Sequence, residues 1–223
     1  MGAQLAFDLG QRPALGRAVF LVSESNAQAL AMIDAWADWP GGKLLLTGPE
    51  GAGKTHLAHV WAAATGATVT GADALGPEAH AARHLVIEDV DRIAGDRAAE
   101  EAVFHAHNAV LGAGGRLLLT ARRLPADWGL TLPDLASRVS AAGFVRIAPP
   151  DEALMAGLLV KLFADRHIRA KPALVAYMTR RIERSFRAAE RAVAALDRAA
   201  LAQRRPVGVR LAAELLEGDT RAD

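Results

Sequence analysis

The sequence predicts an α/β fold, a parallel sheet flanked by helices with a smaller all-helical unit behind it, and three observations carry that prediction. The stretch Gly48-Pro49-Glu50-Gly51-Ala52-Gly53-Lys54-Thr55 fits the spacing GxxxxGK[ST] at every fixed position, between an apolar run, Leu44-Leu45-Leu46, and a helical pattern, His56 to Ala64. A second apolar run, Leu85-Val86-Ile87, ends in Glu88-Asp89, which is how a central parallel strand carries acids to its C-terminal end. Beyond Pro149-Pro150 every remaining segment reads as helix.

Taken in order, residues 1–16 hold Gly10, Pro13 and Gly16 and no sustained period, so they read as a tail. Within it, Gln4 and the alternating Leu5, Phe7 and Leu9 suit either a short docking peptide or an edge strand or unstructured end. Asn26 is placed to cap a helix through Ala27, Leu30, Ile33 and Ala37, which Pro40-Gly41-Gly42 closes. That helix sets Ser25-Asn26 at the mouth of the phosphate site. A short strand follows at 67–70, and 71–82 show no clear period. A helix over 100–111 is ended by Gly112, Gly114 and Gly115, and 116–121 form the next strand. Leu132-Pro133 opens a short helix through Arg138, with Pro133 suited to the first turn, and 143–147 supply a last strand. In the helical unit, Asp151 caps a run through Phe163, Lys171-Pro172 opens one through Ile182, Ser185 caps one through Gln203, and a final helix ends near Gly218.

Composition narrows the chemistry. The 223 residues suffice for one α/β domain and a satellite, and 26 Lys and Arg against 25 Asp and Glu leave a charge of +1, too small for whole-molecule attraction to nucleic acid or membrane. There is no cysteine, which removes disulfides, thiolate catalysis and Cys-ligated zinc and suits a reducing cytosol. No apolar run approaches a bilayer span and no signal peptide is legible, so we expect a cytoplasmic protein.

The glycine-rich stretch is the strongest chemical signal. Gly48, Gly51 and Gly53 let backbone N–H groups face a polyphosphate along Pro49, Glu50 and Ala52, Lys54 reaches the terminal phosphates, and Thr55 holds Mg²⁺ through its hydroxyl. His56 is counted with this loop by position, while its ring and that of His59 read as structural and not as metal ligands. Of the acid pair, Glu88 is assigned to the metal with Thr55 and Asp89 to the attacking water. Thr120 sits where a hydroxyl senses the terminal phosphate, or else makes a local hydrogen bond at a strand end. Arg184, Arg187, Arg191 and Arg198 share one face at helical spacing; interleaved Glu183, Glu190 and Asp197 make a solvated, partly paired surface as good a reading as a phosphate-binding stripe.

These residues together resemble the ATPase core of the bacterial replication initiator DnaA, and more closely the Hda group of DnaA-related regulators, which lack its DNA-binding domain. The resemblance rests on the phosphate loop, the acid pair, Leu118-Leu119-Thr120-Ala121-Arg122, Leu132-Pro133-Asp134-Leu135-Ala136-Ser137-Arg138 and an all-helical lid. It implies an AAA+ P-loop NTPase with a five-stranded parallel sheet over 17–149 and a lid over 150–223, with ADP or ATP and Mg²⁺ between them. It implies that Arg138 is an arginine finger acting in trans, that Arg187, within Arg184-Ser185-Phe186-Arg187, touches nucleotide phosphate from the lid, and that Thr120 is a first sensor. It also implies that Gln4 to Leu9 bind the DNA polymerase III sliding clamp, the beta subunit. The implied role is stimulation of ATP hydrolysis on DnaA while tethered to the clamp, with DNA contacted only through the clamp, room for a homo-oligomer and no membrane partner. The chain departs from the initiators in placing Glu88 where they usually carry Asp. Two other functions fit the same motifs: a self-sufficient DNA-remodelling or helicase-loading ATPase, and a non-catalytic scaffold gated by ADP.

Overall fold

The leucine runs that lack polar alternation are strands covered on both faces. The structure is a computed structural model and describes residues 20–219. The strands β1 (Lys43–Thr47), β2 (Thr68–Gly71), β3 (His84–Glu88), β4 (Arg116–Ala121) and β5 (Gly143–Arg146) form one parallel sheet in the order β2-β3-β4-β1-β5. Successive side chains point to opposite faces, and each face has its own helices. Leu44, Leu46, Val86, Leu118 and Val145 pack with α1 (Ala27–Asp34) and α2 (Lys54–Thr65), through Ile33, Leu57 and Trp61. Leu45, Leu85, Ile87, Leu117 and Leu119 pack on the other face with α3 (Pro77–Ala81), α4 (Arg97–Gly112) and α5 (Pro133–Ser140), through Val103, Val110, Leu135 and Val139. The predicted five-stranded parallel sheet is therefore present.

The helical unit has a separate core. In α6 (Glu152–Asp165), α7 (Pro172–Thr179), α8 (Phe186–Gln203) and α9 (Val209–Asp219), Leu159, Phe163, Leu174, Met178, Val193, Leu196 and Leu211 form a third cluster. Its helix starts are those expected: Asp151 accepts from Leu154 N at 2.8 Å, and the Ser185 hydroxyl accepts from Ala188 N at 3.1 Å.

Several local expectations are corrected. Asn26 precedes α1, but its side chain caps nothing: Oδ1 accepts from Ser23 N at 2.9 Å and Nδ2 donates to Leu21 O at 2.8 Å, so it stitches the preceding turn. Pro77 at a first-turn position starts the five-residue α3 inside a stretch that shows no period. The 100–111 helix begins earlier, at Arg97, because the Asp96 carboxylate takes the N–H groups of Ala98 and Ala99. The second lid helix stops at Thr179, where the Met178 carbonyl accepts from both Arg181 and Ile182 in a closing turn. Arg184 lies in the bend before α8, so only Arg187, Arg191 and Arg198 of the arginine stripe share that helix. The tail expectations at Gln4, Leu5, Phe7 and Leu9 lie outside the described residues.

Candidate nucleotide-binding site

Parallel order brings the motifs to one edge of the sheet. β1 runs beside β4, with Leu46 level with Thr120, and β4 beside β3, with Leu119 level with Ile87, so the loop after β1 and the acids after β3 flank Thr120 at the C-terminal ends. The loop is built for glycine. Gly51 (φ 73°) and Gly53 (φ 100°) adopt left-handed backbone, and a Cβ on Gly51 would lie 2.5 Å from the Ser185 Cβ of the lid. Phe186 of the lid covers Gly53, and Phe186 N donates to Gly51 O at 2.9 Å. The lid thus sits directly on the phosphate loop.

Lys54 is buried, and its Nζ donates to the Gly48 and Pro49 carbonyls at 2.8 and 2.9 Å. Burial lowers its pKa, opposed by the nearby charges of Asp89 and Asp91. Thr55 is exposed at the start of α2, whose N–H groups point at the cradle. The His56 ring lies edge-on to Phe20, 5.2 Å between centroids, with its Nε2 enclosed and without a partner; burial lowers its pKa, followed by Lys161 and His59. Asn26 is fully engaged as described above, so its amide groups already have partners within the protein.

At the acid turn, Asp89 takes a left-handed backbone (φ 56°), and its N–H donates to the Thr120 Oγ1 at 3.0 Å. Thr120 therefore bonds not locally but across to the acid turn 31 residues earlier in the chain, and stands between loop and acids. The Asp89 carboxylate accepts from Arg92 at 3.3 Å, and Asp91 Oδ2 accepts from Arg122 N at 3.1 Å. Glu88 Oε1 and Asp91 Oδ1 are enclosed without partners, free lone pairs of the kind a hard cation takes. Among the described residues no group of three His, Cys, Asp or Glu is arranged around a metal position, so an ion here would need phosphate or water oxygens.

Two arginines converge on the loop. Arg187 of the lid donates Nη1 to Glu50 Oε1 at 2.7 Å, and Arg122 places Nη2 2.9 Å from Glu50 Oε2. Arg122, the residue directly after β4, is not among the site residues expected from the sequence, where it figures only as the end of the Leu118–Arg122 stretch.

Arg138 is elsewhere. On α5, on the face away from α2, its carbonyl accepts from Lys43 Nζ at 2.6 Å, and Lys43 begins β1 at the edge opposite the phosphate loop. Five residues of extended strand separate Lys43 from Gly48, about 16 Å. Its guanidinium is half-buried over the Phe104 ring, 4.9 Å from the centroid, and its Nε has no partner. Glu100 secures the segment leading into α5. Fully buried, it accepts from Gly95 N, from Thr131 N and Oγ1 and, at 2.7 Å, from Leu132 N. Burial alone would raise its pKa, but the donors from Thr131, Gly95 and Leu132 outweigh it and hold the carboxyl below 4.5. A depressed carboxyl stabilises the fold above its unfolded pKa and loses that contribution as pH falls through the folded value. Glu100→Gln is expected to cost about 2–4 kcal/mol at pH 7 in denaturant unfolding, with the gap to wild type closing in acid below pH 4.5.

The comparisons with known proteins follow this geometry. The chain is 30% identical to the chromosomal replication initiator protein DnaA of Thermomicrobium roseum, over 91% of the chain and 50% of that protein. It thus spans about half the length of this curated relative. Domain III of the Thermotoga maritima replication initiation protein DnaA superposes with a TM-score of 0.81 at 19% identity, covering 93% of the chain and 97% of that domain. AMPPCP-bound DnaA from Aquifex aeolicus superposes with a TM-score of 0.69 at 18% identity, over 83% of the chain and 66% of that structure. No family model matches the chain. The fold is that of domain III of the Thermotoga maritima DnaA, and among the described residues no helix is long and apolar enough to cross a membrane.

Proposed function

From its homology to the ATPase domain of the DnaA initiators, we propose that this chain is an adenine-nucleotide-binding regulator of replication initiation that supplies Arg138 to ATP held by DnaA. The observation that carries this reading is the position of Arg138, on the opposite face and at the opposite edge of the sheet from the chain's own phosphate loop. A residue so placed is out of reach of the nucleotide bound in cis, yet it borders solvent and is oriented by Phe104. Delivered to a neighbour's active site, a guanidinium neutralises charge developing on the transferred phosphoryl group.

In this reading the chain's own nucleotide, ADP or ATP, sets the lid angle. The loop N–H groups and Lys54 bind its phosphates, Arg187 reaches them from the lid, His56 follows the loop, and Asn26 stands at the mouth of the pocket. Thr55 and Glu88 would hold Mg²⁺, which neutralises phosphate charge when bound. Asp89 and Thr120, hydrogen-bonded to each other, form the polar wall beside the terminal phosphate. An AMPPCP-bound DnaA of the same fold supports an adenine nucleotide as the ligand.

The deciding experiment mixes the purified protein with ATP-loaded DnaA and DNA-loaded sliding clamp and follows phosphate release. Release only in the full mixture supports the proposal. Comparable release by the protein alone would point to a self-sufficient ATPase, and none in any mixture to a nucleotide-gated scaffold. The tail is proposed to dock on the clamp through Gln4, Leu5, Phe7 and Leu9. Replacing Gln4 and Leu5 by Ala is expected to abolish clamp pull-down without shifting the melting temperature, and retained capture would reject the tail's role.

A further inference from the structure

Building on the nucleotide reading above, we infer that Arg122 is a second phosphate-binding arginine, and that the Glu50 carboxylate holds the position of a phosphate until a nucleotide displaces it. Each oxygen of Glu50 is taken by a different guanidinium, Arg187 at 2.7 Å from the lid and Arg122 at 2.9 Å from the end of β4. Glu50 lies inside the phosphate loop itself, so the two arginines converge where a polyphosphate would lie. A guanidinium that donates an N–H to a carboxylate oxygen can donate it to a phosphate oxygen at similar distance.

Both arginines are anchored independently of Glu50. The Arg122 backbone N–H is bound by Asp91 Oδ2 at 3.1 Å, at the same turn whose Asp89 N–H is bound by Thr120. Arg187 follows Ser185-Phe186, which are pinned to the loop by the bond from Phe186 N to Gly51 O and by the fit of Ser185 over Gly51. Their convergence is thus a property of the two domains. The carboxylate between them is only weakly held, because the side chains of Glu50, Arg122 and Arg187 are 54%, 43% and 67% exposed and their ion pairs are solvent-screened. A polyphosphate offers the same arginines more charge than one carboxylate, so it displaces Glu50, whose own charge then opposes the ligand. Glu50 balances the charge of the two guanidinium groups and lowers nucleotide affinity in doing so.

Titration calorimetry with ADP and AMPPCP tests this. Arg122→Ala should weaken AMPPCP binding about tenfold, the loss of one charge-assisted contact, and Glu50→Gln should tighten both ligands about three- to tenfold by removing competitor and like charge. Arg205→Ala, a lid arginine paired with Glu214 and remote from Glu50, should change neither. Unchanged affinity in Arg122→Ala, or equal or weaker affinity in Glu50→Gln, overturns the inference while leaving the nucleotide reading intact. A wild-type protein that binds neither ligand overturns both together.

Discussion

Arg138→Ala is expected to bind ADP and ATP as the wild type does and to lose stimulation of DnaA-bound ATP hydrolysis by about 10³-fold or more, the range found for arginine fingers given in trans. Binding should survive because Arg138 lies on α5, across the sheet from α2 and about 16 Å of strand away from the proposed phosphate loop. Stimulation is lost because no other described cation shares its position: Lys43 beside it is buried and spends its ammonium on the Arg138 carbonyl and on His107. Burial lowers the Lys43 pKa, with the Arg138 charge adding to the effect, so Lys43 is poorly suited to act as a substitute finger. Arg138→Lys should recover little, since a point charge lacks the planar fork. The measurement is single-turnover phosphate release from ATP-loaded DnaA with clamp present. Wild-type rates in Arg138→Ala would remove the in trans mechanism.

The second large effect falls on the chain's own nucleotide. Lys54→Ala should weaken ADP and ATP binding by about a hundredfold, as expected when a charged donor to phosphate is removed. In the structure its ammonium is parked on the Gly48 and Pro49 carbonyls, between the covering lid and the acid turn. A phosphate entering the cradle replaces neutral carbonyl acceptors by anionic ones, so the contact strengthens on binding and its loss is felt mainly in the bound state. Calorimetry should show the drop with little change in folding cooperativity. If Lys54→Ala retained wild-type affinity, the loop would not be the phosphate site. The same variant then asks whether nucleotide is needed for Arg138 to act: if it sets the lid, stimulation falls in parallel with occupancy.

Much of this was legible in residue order. A glycine loop between a strand and a helix, acids ending an apolar run, and caps such as Asp151 and Ser185 are local devices, dictated by backbone freedom and hydrogen bonding over a few residues. The Leu-Leu-Leu runs announced the central strands β1 and β4, buried on both faces, and the other three strands were legible as shorter apolar segments. Where expectation failed, a competing hydrogen bond within a few residues had claimed a group. Asn26 has the composition of a cap, yet its amide is drawn to Ser23 and Leu21. Arg184 has the spacing of the α8 stripe, yet the helix begins only after Ser185 takes the Ala188 N–H.

What the sequence alone determined was the kind of chemistry, because a phosphate cradle needs specific residues at fixed short spacing and those spacings survive without a structure. Only the tertiary structure decided the partners at long range. It set Glu50 between Arg122 and Arg187, 72 and 137 residues away, gave Glu100 its donors from Thr131 and Leu132, and carried Arg138 to the edge of the sheet opposite its own nucleotide loop. The reason is physical: strand order and helix packing follow from burying both faces of one sheet, a condition on the whole chain that no short stretch of it contains.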